Sequence, residues 1–89
     1  MEYDQAVENA LREIFEAIRL YGKPYSQRLL GDVVEGDNNA KNWSWLSAFI
    51  DCDSNEARRR CIEDEIRRNP NNLVAHKALA LFNPPGPAE

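Results

Sequence analysis

Trp43-Ser44-Trp45-Leu46-Ser47-Ala48-Phe49-Ile50 holds both tryptophans and one of the three phenylalanines of an 89-residue chain. On a helix, Trp43, Trp45, Leu46, Ala48, Phe49 and Ile50 cover about 220° of the circumference. Within the stretch only Ser44 and Ser47 fill the remainder. A helix that apolar is central and needs neighbours on more than one side. The reading is a helix over 40–50, with Leu46, Phe49 and Ile50 fully buried. One of the two tryptophans is expected at an edge, where a partner or a second copy covers it.

Outward from this stretch, helical signals run in both directions. Upstream, Tyr3, Val7, Ala10, Ile14, Ala17 and Tyr21 recur at alternating spacings of four and three, and Leu11, Phe15 and Ile18 widen the stripe. Asp4 suits the N-cap, Gly22 the position after the last turn, and Pro24 a stop. The helix packs inside the monomer or forms a dimer seam. A shorter helix follows from Ser26 to Val34, capped by Ser26, and the polar turn Glu35–Asn39 leads back to the tryptophans, with Asn38 or Asn39 as cap.

Downstream, Asp53 or Ser54 caps a helix over 55–68, with Glu56 in its first turn and Arg67-Arg68 in its last, matching the helix dipole. Its apolar set is thin (Ala57, Cys61, Ile62, Ile66), so it is peripheral. Glu56–Arg60, Glu63–Arg67 and Asp64–Arg68 have the acid-before-base spacing of intrahelical ion pairs. Asn69-Pro70-Asn71-Asn72 breaks the helix, and an apolar one runs from Leu73 to Phe82. The proline-rich segment 83–89 cannot be helical and reads as a flexible tail. The expected fold is therefore all-α: a small irregular, orthogonal bundle of about five helices forming one domain over residues 1–82.

Composition narrows the function classes. Hydrophobic residues make up 43% and charged residues 29%, as in ordinary globular domains. No apolar run approaches the roughly 18–20 residues of a membrane span. Met1–Gln5 has neither a basic region nor an apolar region of a secretory signal, and two cysteines are too few for a disulfide scaffold. A cytoplasmic setting follows. Net charge is −4, but residues 1–57 carry eleven acidic and five basic side chains, whereas 58–77 carry three and six. The acidic balance disfavours bulk affinity for nucleic acid.

Chemistry is sparse. Cys52, Asp53, Cys61 and the single His76 lack the close Cys or His pairs of a zinc site. The thiols read as small packed hydrophobes, with a Cys52–Cys61 disulfide as the alternative in an oxidising compartment. His76 has no neighbouring nucleophile motif, and there is no Gly-rich phosphate loop or cofactor motif. The run from Ala57 through Pro70-Asn71-Asn72-Leu73-Val74-Ala75 is similar to the junction between two tetratricopeptide repeats. Such arrays need about three copies and no second copy exists, so no family is assigned.

What remains is a non-enzymatic protein–protein interaction module: an adaptor, an assembly domain or a small inhibitor of a larger partner. The homodimer is a variant of that reading. The alternative is a nucleic-acid-associated regulator using the basic helix Arg58–Arg68. Candidate partner-binding residues are Trp43, Trp45, Arg58, Arg60 and Arg67, because tryptophan and arginine anchor interfaces. No catalytic, metal or cofactor residue is assigned.

Overall fold

A computed structural model describes residues 2–37 and 40–82. The tail expected over 83–89 and the capping asparagines Asn38 and Asn39 lie outside the described residues. Among the described residues there are five α-helices and one 3-10 turn, with no strand: α1 (Tyr3–Tyr21), α2 (Lys23–Glu35), the 3-10 turn Ala40–Asn42, α3 (Leu46–Asp51), α4 (Asn55–Arg68) and α5 (Leu73–Phe82). Each helix packs on the next in sequence, and α5 returns to pack on α1. The five helices thus form a closed ring of neighbours around one core.

α1 follows its stripe. Val7, Leu11, Ile14 and Ala17 are buried, while Arg12, Glu13 and Glu16 stay outside. Asp4 sits inside the first turn rather than capping it. The cap position belongs to Glu2, which makes no side-chain cap bond. At the other end Gly22 has φ 89° and ψ −175°, a region essentially reserved for glycine. Its N–H closes α1 on the Ala17 carbonyl, and Gly22 also occupies the cap position of α2.

The expected start of α2 at Ser26 is corrected to Lys23. Pro24 stops α1, yet it is tolerated in the first turn of the next helix, where its missing N–H has no intrahelical partner anyway. Ser26 is therefore not a cap. Its fully buried hydroxyl donates back to the Gly22 carbonyl at 2.8 Å.

The tryptophan stretch departs most from expectation. It is not one helix over 40–50 but a 3-10 turn, an irregular turn and the six-residue α3. The backbone winds tightly: Trp43 N bonds Ala40 O, Leu46 N bonds Trp43 O, and Ser47 N bonds Ser44 O, each a three-residue step. Residues three apart eclipse in such winding, which aligns Trp43 with Leu46. A continuous α-helix would spend the Asn42 carbonyl on Leu46. Here it is free to accept the Trp45 indole N–H at 2.8 Å and the Asn72 amide at 3.2 Å. The Trp43 indole donates to Asp37 Oδ2 at 2.8 Å. Both large rings are thereby buried with their one polar group satisfied.

α4 is peripheral, as its thin apolar set implies, burying only Ile62 and Glu65. The Ser54 hydroxyl caps it by accepting from Ala57 N. α5 is capped by Asn72, whose Oδ1 accepts from Val74 N and Ala75 N. Val74, Ala75 and Ala78 then enter the core beside Leu46, Phe49, Ile50 and Ile62.

Candidate interaction surfaces

The five residues singled out from the sequence do not form one face. Trp43 and Trp45 are 1% and 6% exposed, so neither stands at an open edge. The expectation of an uncovered tryptophan fails because the broken helix turns both indoles inward. Trp43 lies in the cleft between the start of α1 and the end of α2, and Trp45 packs edge-on against Phe49.

The arginines divide. Arg60 pairs with Glu56 at 3.1 Å, and Arg67 with Asp64 at 2.7 Å rather than with Glu63. Both pairs are exposed, each contributing a few tenths of a kcal/mol at about the level of helical ion pairs. Arg68 turns to Glu65, not Asp64. Arg58 behaves differently. Its Nη1 donates to Asn55 Oδ1 and its Nη2 to the Cys52 carbonyl, both neutral acceptors. Its Nε is buried with no acceptor. Leaving such a donor unpaired costs about 1–3 kcal/mol.

Two surface features were hidden in the sequence. The first is the corner where α1 meets α2. Leu20, Tyr21 and Tyr25 are 52%, 65% and 45% exposed, and the two tyrosine rings touch at 4.9 Å between centroids. They border a cleft of about 590 Å³ whose other walls are Arg12, Glu13, Glu16, Ala17 and Leu29. Tyr21 belongs to the apolar stripe of α1 by spacing, which argues for burial. The one-residue hinge at Gly22 sends α2 off before it can cover the last turn, so the stripe runs past its neighbour.

The second feature shares no lining residue with the first. Phe15, Phe49 and Phe82, the three phenylalanines of the chain, form a mutually contacting triad. Phe15 stacks on Phe49 at 5.2 Å, and Phe82 meets both edge-on at 6.3 and 5.9 Å. With Ile18 they floor a groove of about 340 Å³, and Arg19, Asn55 and Arg58 stand at its rim.

A buried carboxylate joins α4 to α5. Glu65 Oε2 accepts from the amides of Asn69 at 2.8 Å and Asn72 at 2.9 Å, and Oε1 from Arg68 at 3.1 Å. Burial alone would raise its pKa. The donors of Asn72, Asn69 and Arg68 outweigh that and hold it below the usual glutamate range. Its position three residues after Ile62 puts it on the inner face, the one sequence signal that marks it. Lys41, Asn42 and Asn71 complete the polar cleft above it.

The remaining candidates are unremarkable in geometry. His76 is exposed and its Nε2 contacts the Pro70 carbonyl. Cys52 and Cys61 are free, half-buried thiols, and burial pushes Cys61 up to about 11. Among the described residues no group of three or more His, Cys, Asp or Glu side chains converges, and no helix is long and apolar enough to cross a membrane. Compared with protein-family models, with curated proteins and with solved structures, the chain shows no significant match to any.

Proposed function

We propose that this chain is a non-enzymatic protein–protein interaction module acting in the cytoplasm, and that it docks its partner through the Leu20–Tyr21–Tyr25 corner. One observation carries the reading: three large, adjacent side chains are about half exposed or more beside a cleft, whereas both tryptophans are buried and Tyr3, 42% exposed, stands apart at the start of α1. Tyrosine supplies broad contact area with few rotatable bonds and a polar tip, which suits a face that must be wet when free and dry when bound. A partner would lay an apolar side chain between Leu20 and the tyrosine pair. Arg12 and Glu13 would stand at the rim to set orientation.

The test is affinity capture from the native host with the wild-type chain and a Tyr21→Ser/Tyr25→Ser variant, after matching their thermal melts. The expected result is a protein retained by the wild type and lost by the variant. Light scattering separates the homodimer, which would exceed the 10.2 kDa monomer mass and revert in the variant. Equal retention by both chains, or a monomer that retains nothing, refutes the assignment.

A further inference from the structure

We propose that the groove floored by Phe15, Phe49, Phe82 and Ile18 is a binding site for a small amphipathic carboxylate, an acid group on an aromatic or short alkyl body. This goes beyond the docking corner and does not depend on it, since the groove shares no lining residue with the cleft beside Leu20, Tyr21 and Tyr25.

Three observations converge on that ligand class. The floor is apolar and aromatic, and its three rings already stack and meet edge-on, so a fourth ring or an alkyl chain finds the same geometry. The volume of about 340 Å³ lies at the lower end of the roughly 300–1,000 Å³ of small-molecule sites. The rim is cationic, with Arg19 and Arg58 and no acidic side chain lining the groove.

Arg58 decides the polar end of the ligand. Arg60, Arg67 and Arg68 on the same helix each hold a carboxylate, whereas Arg58 holds only the Asn55 amide oxygen and the Cys52 carbonyl. Asp53 acts on Arg58 only through space, no carboxylate lies at salt-bridge distance from it among the described residues, and its Nε lacks any acceptor. A carboxylate seated in the groove supplies a counter-charge and competes with the two neutral acceptors for the guanidinium, in the planar fork geometry that guanidinium favours; Nε, enclosed in the free chain, is paired only if the guanidinium turns toward the ligand. Arg19 already pairs with Glu16, so it adds field rather than a vacant donor. A neutral apolar ligand would fill the floor and leave Arg58 as it is.

The experiment is a titration of the full chain, nitrogen-15 labelled, with 3-phenylpropionate and with its neutral isostere 3-phenylpropanamide near neutral pH. Backbone amides and the arginine Nε–Hε resonances are followed. The acid should shift residues around Phe15, Ile18, Phe49 and Phe82 and move the Arg58 Nε–Hε signal. It should bind about tenfold or more tighter than the amide, the scale of one charge-assisted hydrogen bond. Arg58→Gln should reduce acid affinity to that of the amide, and Arg58→Lys, which keeps the charge, should retain part of the preference. Well-dispersed spectra of both variants establish that they fold. Equal binding of acid and amide, shifts confined to the Tyr21–Tyr25 side, or no shift at millimolar ligand overturns the proposal. Groove shifts on Glu89→Gln with no ligand present would also overturn it, by giving the groove to the chain's own C-terminal segment.

Discussion

Replacing Glu65 tests how the two halves of the ring are joined. Its carboxylate accepts from Asn69, Asn72 and Arg68, and it is 5% exposed. Hydrogen bonds to a charged group contribute about 1.5–3 kcal/mol each, less when the partner is solvated. The Arg68 side chain is 65% exposed, so that pair is discounted, and the two asparagine amides carry most of the effect. Asn72 keeps the Asn42 carbonyl when Glu65 is removed, which softens the loss. The expectation for Glu65→Ala is therefore about 2–4 kcal/mol. That is a large share of the roughly 5–15 kcal/mol that stabilises a domain. Glu63→Ala, on the exposed face of the same helix, should stay within about 0.5 kcal/mol. Urea denaturation near neutral pH measures both. Acid titration adds a sign. The folded-state pKa lies below the ordinary value of 4.5, so the unfolded chain protonates first. The stabilisation is then fully present above 4.5 and lost as pH falls through the folded value. The gap between wild type and Glu65→Gln should narrow over that range. A Glu65→Ala variant as stable as Glu63→Ala, or a gap indifferent to pH down to the acid limit of folding, refutes the reasoning.

Three further outcomes follow from single positions. Gly22→Ala places a side chain at φ 89° with open space around it, so the penalty is purely conformational, about 1–3 kcal/mol, read as a lower thermal midpoint; an unchanged midpoint contradicts the hinge. Gly31→Ala sits mid-helix, exposed, with no atom within 4 Å of the new methyl group, and should stabilise by about 0.5–1 kcal/mol in the same assay. Burial holds Cys61 at about 11, so at mildly alkaline pH iodoacetamide should label Cys52 ahead of Cys61 in peptide mass maps, and the reverse order would disprove the placement.

Much of the architecture is legible in the residues because α1 carries a clear apolar stripe and α4 and α5 carry clear start and stop signals. Val7, Leu11, Ile14 and Ala17 lie where the stripe puts them, and Ser54 caps as its position suggests. The tryptophan stretch departs from the helix its pattern predicts for a physical reason: regular helical geometry sends Trp43 and Trp45 in opposing directions, and a change of winding reconciles them. That change depends on Asp37, Asn42 and Asn72, acceptors and donors brought in by tertiary contact and invisible to local pattern. The surfaces were illegible for the complementary reason. Whether Tyr21 is covered depends on the direction α2 takes, and whether Arg58 finds a carboxylate depends on what α3 presents to it. Spacing along one helix encodes neither.

The closed ring of helices sets how this chain can come apart and come together. α1 and α5 hold each other although residues 22–72 separate them in sequence, so their contact is the costliest loop to close. The aromatic triad is that meeting point, since Phe15 comes from the first helix, Phe49 from the third and Phe82 from the last turn of the fifth. It acts as the clasp of the ring, tying the first, third and fifth helices together at the contact that closes it.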